Sequence, residues 1–214
     1  TLAGAAEVAG STDGFGTAAR FHSPAGLAVD NANNIYVTDA ANHLIRKIAP
    51  TGEVTTVAGK AGVTGAANGK GTAATFNWPS GIAVDEAGTL YVADEANHMI
   101  RKVSPAGDVS TLAGAGVPGA ADGTGTAAKF NYPNGLSIKM GTLYVSDGGN
   151  HTVREVSTYG VVTTLAGRAG IPGDNDGLAD EARFTFPSGI VTDANGNIYV
   201  ADKGNNQIRK VMFQ

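Results

Sequence analysis

Three histidines are the residues of this chain with the most evident potential for metal chemistry. They recur at near-equal spacing, as His43, His98 and His151. Imidazole is the commonest protein ligand for zinc, so three converging copies could form a zinc site. The alternative is that each histidine makes hydrogen bonds close to its own place in the fold. Each lies inside the same repeated phrase, which favours this structural interpretation.

A glycine-rich acidic loop is the second place where a metal could bind. Asp174 and Asp176 stand in the stretch Gly-Asp-Asn-Asp-Gly, and Asp180 follows shortly after. Calcium takes six to eight oxygen ligands, often from acidic loops of this kind. The spacing is not that of an EF-hand, however, and turn formation by Asp-Gly explains the same residues. We therefore expect no metal and no other cofactor, and retain this loop as a weak calcium candidate.

Aromatic residues form the best candidate for a binding site. Trp78, Tyr132 and Phe186 each precede a proline at the same place in three similar phrases, where the first phrase has Ser23. If the phrases are arranged around an axis, these rings converge and could stack on a sugar or hold a peptide side chain. Packing between neighbouring units is the alternative. With the residues that precede them, the candidate ligand-binding residues are Trp78, Tyr132, Phe186, His22, Asn77 and Asn131.

All these residues belong to a unit that the chain repeats four times, with a period of 53 to 55 residues. In the second copy, four short runs rich in β-forming residues (81–85, 90–94, 99–103 and 109–113) are separated by turn residues. A long glycine-rich connection then leads to the next copy. Self-similarity at a fixed period predicts stacked copies of one supersecondary unit, and a four-stranded meander predicts the blade of a β-propeller. The expected fold class is therefore all-β.

The sequence motif that follows the second β-forming run of each repeat resembles that of a known family. NHLIRKI from Asn42, NHMIRKV from Asn97 and NHTVREV from Asn150 resemble the NHL repeat, while the fourth copy has Asn206 in place of histidine. The resemblance implies a β-propeller of four four-stranded NHL blades, but it implies no particular activity. We expect a structural role for the signature residues of the repeat, which are Asn42, His43, Asn97, His98, Asn150, His151, Arg46, Arg101, Arg154 and Arg209.

The ends of the chain suggest how the last blade is completed. Thr1-Leu2-Ala3-Gly4 matches the end of a fourth strand, and the last copy stops after its third. We expect a single domain over 1–214, with repeat units 5–59, 60–114, 115–167 and 168–214, the last closed by residues 1–4. A strand at that position would cover sheet edges that otherwise invite aggregation. The alternatives are that the chain pairs with another copy of itself or that it is a fragment of a larger ring.

Charge and composition exclude several classes of partner. The net charge is −4 with both signs interspersed, which argues against nucleic acid. No apolar stretch approaches the ~20 residues that span a bilayer, so we expect no membrane insertion. Cysteine is absent. The sequences of the repeats resemble those of bacterial secreted or surface NHL proteins, and from this resemblance we expect an extracellular or periplasmic location.

Two functional hypotheses follow. The first is a non-catalytic binding or assembly module, whose long-loop face recognises a protein, a peptide, a glycan or copies of itself. The second is a propeller enzyme of the lyase or lactonase-like kind, with a site at the mouth of a central channel. Catalysis needs an asymmetric set of acid, base and stabilising groups, whereas most polar residues here recur from copy to copy. We therefore expect no enzymatic activity.

Overall fold

The computed structural model describes residues 1–212, which form an all-β chain of four antiparallel sheets. The sheets are the four blades of a β-propeller fold. Blade 1 contains β1 (Gly14–Phe15), β2 (Pro24–Val29), β3 (Ile35–Asp39), β4 (Leu44–Ile48) and β5 (Glu53–Gly59). Blade 2 contains β6 (Gly69–Lys70), β7 (Pro79–Val84), β8 (Leu90–Asp94), β9 (Met99–Val103) and β10 (Asp108–Ala113).

Blades 3 and 4 repeat this order of elements. Blade 3 contains β11 (Gly123–Thr124), β12 (Pro133–Lys139), β13 (Thr142–Asp147), β14 (Thr152–Ser157) and β15 (Val161–Ala166). Blade 4 contains β16 (Pro187–Thr192), β17 (Ile198–Asp202) and β18 (Gln207–Val211). In blades 1 to 3 the four main strands form a meander, and in the described part of blade 4 three strands follow the same order, which confirms the predicted order of runs and turns.

Single 3-10 turns connect these strands at two places in every repeat. One turn lies in the long loop, at Gly16–Ala18, Gly71–Ala73, Gly125–Ala127 and Ala179–Glu181. The other follows the second main strand, at Ala40–Asn42, Glu95–Asn97, Gly148–Asn150 and Lys203–Asn205. In blade 1 the two regions meet, since the Ala41 N–H donates to the His22 carbonyl. The long loop and this turn therefore lie on the same face of blade 1.

Contacts divide the chain into two compact units, of which each has its own core. The first unit contains Thr1–Asn97 and Arg101–Ser110, and the second contains His98–Ile100 and the described residues from Thr111 on. In the first, Phe76 and Ile82 of blade 2 pack with Ile45 of blade 1. In the second, Phe184 of blade 4 packs with Val153 of blade 3. The expectation of a single domain over 1–214 stays a prediction.

The sequence did not predict the short outermost strands. β1, β6 and β11 lie inside the long loops and pair with the fourth main strand, giving three sheets of five strands. Each begins at a glycine with positive φ, such as Gly69 at φ 148°. A glycine tolerates this backbone conformation without steric strain. The Asp-Gly or Asn-Gly loops therefore add an edge strand as well as a turn.

The predicted closure of blade 4 by Thr1–Gly4 stays a prediction, because this segment and blade 4 belong to different units. The described residues 1–4 form no strand, and the sheet of blade 4 has three strands. The Gly4 N–H instead donates to the Gly16 carbonyl of blade 1 at 3.0 Å. Fourth strands elsewhere run over six or seven residues, and this segment matches only their last part. Within the described residues, no helix is long and apolar enough to cross a membrane.

Candidate functional site

A buried arginine holds the long loop of each blade against its own sheet. In blade 2, Arg101 is fully buried and its Nη1 contacts Asp94 Oδ2 at 2.8 Å. The same guanidinium donates to the carbonyls of Thr75 and Ala67 in the loop and to Asn68 Oδ1. Its central carbon also lies 5.3 Å from the centre of the Phe76 ring. The signature arginines are therefore structural, and they bind within their own blade.

The buried aspartates complete this network of contacts. The arginine, aspartate and asparagine that hold the long loop of a blade are hereafter called the clamp of that blade. One carboxylate oxygen of Asp94 accepts the Asn77 backbone N–H at 2.8 Å, and the other accepts Asn97 Nδ2 and Arg101 Nη1, both at 2.8 Å. The signature asparagine also donates to the loop, since Asn97 Nδ2 contacts the Gly65 carbonyl. The same arrangement recurs with Asp39, Asp147 and Asp202.

These clamps account for three of the candidate binding residues. His22, Asn77 and Asn131 each donate their backbone N–H to the buried aspartate of their blade. Asn131 is half-buried, and its side chain lies so close to Gly149 that an added Cβ there would approach it to 2.7 Å. The backbone of these residues anchors the loop, whereas the side chain of His22 is exposed.

The signature histidines position the aromatic residues of the following blade. The Trp78 N–H donates to His43 Nδ1 at 3.2 Å, within the first unit. Within the second unit, the Tyr132 and Phe186 N–H groups donate to Nδ1 of His98 and His151, both at 3.1 Å. A ring nitrogen accepts a hydrogen bond only when it carries no proton, so these histidines are neutral with the proton on Nε2.

Burial favours the same neutral state. Desolvation lowers the pKa of His43, His98 and His151, and the nearby Asp202 carboxylate partly opposes this for His151. Burial has the opposite effect on the clamp carboxylates, because it also disfavours a negative charge. It raises the pKa of Asp94, and it raises the pKa of Asp147 to about 6 against the opposing charge of Arg154.

The three aromatic side chains remain half-exposed although their backbone is held firmly. Trp78, Tyr132 and Phe186, hereafter the loop aromatics, are 50%, 51% and 55% exposed. Their φ angles are 51°, 51° and 48°, in the left-handed region that residues with a Cβ rarely adopt. Each ring meets the partner histidine edge to face, with centroids 4.7 Å apart for Tyr132 and for Phe186. The predicted convergence of all three rings on one site stays a prediction.

The metal hypotheses find no support in the geometry. No group of three histidine, aspartate, glutamate or cysteine side chains comes together as a metal site among residues 1–212. The carboxylate of Asp176 contacts Arg209 Nη2 at 2.6 Å. The loop around Asp174, Asp176 and Asp180 therefore supplies an ion pair to the fourth clamp, and Asp180 accepts from Arg183 through its carbonyl.

One set of contacts was not foreseen from the sequence. Asp13, Asn68, Asp122 and Asp176 bind the signature arginines from the long loop. Their regular distance of 32 or 33 residues before the arginine is a signal that the repeats contain. Because Asp-Gly and Asn-Gly are so common in turns, that signal was interpreted as turn formation alone.

Comparison with known proteins identifies the repeats. A family model described as the NHL repeat matches residues 21–48, 76–103, 130–155 and 184–211. Human NHL repeat-containing protein 2 is 33% identical over 238 residues, which cover 94% of this chain and 32% of the relative. The chain thus spans about a third of the length of this curated relative.

Solved structures give the same fold. An auxiliary nutrient binding protein from Bacteroides ovatus is 26% identical with a TM-score of 0.70, over 92% of this chain and 49% of that one. A streptogramin B lyase is 16% identical with a TM-score of 0.56, over 89% of this chain and 55% of that one. The second likeness concerns the fold alone.

Proposed function

The chain belongs to the NHL repeat family, whose fold does not determine an activity, and we propose that it is a non-catalytic binding module. The loop aromatics form its binding surface. The observation that carries this proposal is their exposure at a strained backbone position. A left-handed conformation costs a residue with a Cβ roughly 1–2 kcal/mol, and glycine or asparagine would avoid most of that cost. Ligand binding therefore explains the large rings at three of these positions better than the loop conformation does, because that conformation favours glycine or asparagine.

The chemistry of these rings suits a neutral oligosaccharide. The apolar face of a sugar ring packs on an aromatic side chain while its hydroxyl groups stay in water, and a rigid platform loses little entropy on binding. The hydrogen bonds to His43, His98 and His151 provide that rigidity. The similarity to an auxiliary nutrient binding protein supports a binding role. We extend the proposal to an extracellular or periplasmic location, which fractionation of the source cells would test.

Trp78 provides a direct test because it is the only tryptophan of the chain. Its emission is recorded during titration with malto-, cello-, xylo- and manno-hexaose. We expect at least one hexasaccharide to change the emission in a saturable way. Trp78→Gly should weaken that binding about fivefold in calorimetry, the effect of losing one aromatic contact of about 1 kcal/mol, while the protein stays folded, since glycine accepts a φ of 51°.

Tyr159 supplies a matched control. It is 90% exposed and lies in the turn between β14 and β15, at the end of blade 3 opposite to the end where Tyr132 enters β12. Tyr159→Ala should leave the affinity for the same hexasaccharide unchanged. A silent emission for all four sugars, or an equal loss of affinity in Tyr159→Ala, would contradict the proposed binding surface.

A further inference from the structure

Two consecutive backbone N–H groups fix each loop aromatic, and both donate to a titratable acceptor. In the first unit, the Asn77 N–H donates to Asp94 Oδ1 at 2.8 Å, and the Trp78 N–H donates to His43 Nδ1 at 3.2 Å. The aspartate belongs to the same blade as the loop, whereas the histidine belongs to the preceding blade. The same pair of contacts recurs twice in the second unit, at Asn131 and Tyr132 and at Thr185 and Phe186.

The backbone at a loop aromatic needs these contacts to keep its conformation. Trp78 has a φ of 51°, where a Cβ lies too close to the following carbonyl oxygen. A residue keeps such a conformation only while the surrounding structure stabilises it. His43 contacts both parts of this residue, because it accepts the backbone N–H and its imidazole meets the indole edge to face, with centroids 6.3 Å apart. The state of His43 therefore affects both the backbone and the ring.

Protonation reverses the hydrogen-bonding role of the histidine nitrogen. The neutral imidazole with its proton on Nε2 accepts at Nδ1, whereas the imidazolium ion carries a proton on both nitrogens and accepts nothing. The Nδ1–H of a protonated His43 would face the Trp78 N–H, donor against donor. The positive charge would also be repelled by the positive end of that N–H dipole. Protonation thus replaces a hydrogen bond by a repulsive contact.

The groups around the histidines favour the neutral ring at neutral pH. Burial lowers the pKa of His43, while Asp39 of its own blade and Asp94 of the next are each paired with the arginine of their clamp. For His151, the Asp202 carboxylate favours the proton and partly opposes the effect of burial. Each histidine is therefore neutral above its ordinary pKa of about 6.5 and takes up its proton below that value.

We propose that the signature histidines are pH switches of the binding surface. A neutral imidazole holds the loop aromatic of the following blade in place, and a protonated imidazole releases it. The inference rests on the proposed function, because it concerns the same three rings. A neutral oligosaccharide has no group that titrates in this pH range, so a change of its affinity with pH reports the state of the protein. The ligand would be bound at neutral pH and released on acidification.

The affinity ratio between the wild type and Trp78→Gly tests this proposal. Both proteins are titrated calorimetrically with the hexasaccharide that changes the Trp78 emission, from about pH 8 to about pH 4, the range that contains histidine titration. Above the pKa of His43, the wild type should bind about fivefold more tightly, the effect of one aromatic contact. Below it the two affinities should converge, because the released ring no longer contributes. A ratio that stays constant over the whole range would overturn the proposal.

Two histidine substitutions assign the effect to one side chain. The fourth repeat has Asn206 in place of the signature histidine, with a φ of 57°, so His43→Asn keeps the left-handed backbone and removes the titrating group. Combining it with Trp78→Gly should give an affinity ratio that does not change with pH. His22→Asn is the control, since this side chain is exposed, and should keep the pH dependence of the wild type. A ratio that still falls on acidification in His43→Asn would assign the effect to Asp94 and contradict the histidine switch.

A measurement without ligand separates the switch from the proposed function. In NMR spectra of the free protein, the Trp78 backbone amide should lose its protection against hydrogen exchange at the pH where the imidazole signals of His43 titrate. Circular dichroism spectra confirm that the protein stays folded there. If no hexasaccharide binds but the two midpoints coincide, the proposed function fails and the switch stands. A Trp78 amide that stays protected while His43 takes up its proton would overturn the switch, whichever sugars bind.

Discussion

At the residue scale, most of the recurring polar and charged side chains of this chain stabilise the fold. The arginine, aspartate and asparagine of each repeat form one buried network that fastens a long loop to its blade. The histidine accepts a hydrogen bond from the next blade at a nitrogen that a metal would otherwise use. Among the signature positions, Asn206 keeps the left-handed backbone of the histidines, with φ 57° against 60° for His43. Asparagine tolerates this conformation well, which explains the departure in the fourth repeat.

Removing one arginine should test the clamp. Arg101→Ala leaves Asp94 buried without its cation, and loss of one partner from a buried pair costs about 3–5 kcal/mol of unfolding free energy. Arg209→Ala is the matched comparison, because its side chain is 10% exposed and it lies 3.2 Å from the buried Asp202, whereas the fully buried Arg101 lies 2.8 Å from Asp94. We expect a clearly smaller loss for Arg209→Ala in urea unfolding. Equal losses would contradict the role of burial in this clamp.

The histidines should titrate below their ordinary pKa of about 6.5. Because the folded state holds them neutral, the stability they contribute is complete above the unfolded pKa and is lost as pH falls through the lowered folded pKa. Asp147 acts in the opposite direction, since a carboxyl whose pKa is raised to about 6 contributes stability at low pH that is lost as pH rises through that value. Imidazole NMR signals separate the two effects. A pKa for His98 at or above 6.5 would contradict the hydrogen bond to Tyr132.

At the element scale, neighbouring blades are brought together by the close approach of their innermost strands. Gly26 on β2 faces the Ser80 carbonyl of β7, and Gly135 on β12 faces the Ser188 carbonyl of β16. A Cβ at either glycine would lie about 2 Å from a carbonyl oxygen. The Pro-x-Gly phrase that opens each repeat therefore sets the spacing between the two blades of a unit.

Two glycines of the second unit allow a matched test of this spacing. Gly135→Ala should destabilise the fold by about 1–3 kcal/mol, the range for overpacking a close contact. Gly189→Ala, at the equivalent position of blade 4, where an added Cβ would meet only Ala201 at 3.9 Å, should change the unfolding free energy by less than about 0.5 kcal/mol. Chemical denaturation at low protein concentration measures both. Equal destabilisation would show that the close approach at Gly135 is not what the substitution disturbs.

Whether a strand could be predicted depends on whether its signal lies in its own residues or in its pairing partner. The main strands follow from runs of β-forming residues between turns, and the run 90–94 coincides with the observed β8. The two-residue strands did not follow, because a strand such as β11 is defined by its partner β15, 37 residues further on, and not by its own composition. The closing strand stays a prediction for a related reason, since a matching sequence does not specify which strand edge it pairs with. Trp78 and its equivalents could be chosen from the sequence, but their link to the histidines required the fold.

At the scale of the whole molecule, the proposed function places structural roles and ligand recognition at different positions of the repeat. The residues that recur in every blade fasten loops and space strands. The residue before the repeated proline varies instead, as Ser23, Trp78, Tyr132 and Phe186, on a backbone whose φ stays between 48° and 53°. A scaffold of this kind can change its ligand by changing a few exposed side chains while the fold persists.

The binding affinity of a triple variant tests this account most directly. Trp78→Gly, Tyr132→Gly and Phe186→Gly are combined, and the variant is titrated calorimetrically with the hexasaccharide that most strongly changes the Trp78 emission of the wild type. Each lost aromatic contact of about 1 kcal/mol predicts an affinity about fivefold weaker, so the hexasaccharide that changes the Trp78 emission should bind the variant at least about fivefold more weakly. An affinity equal to that of the wild type would contradict the assignment of the loop aromatics as the binding surface.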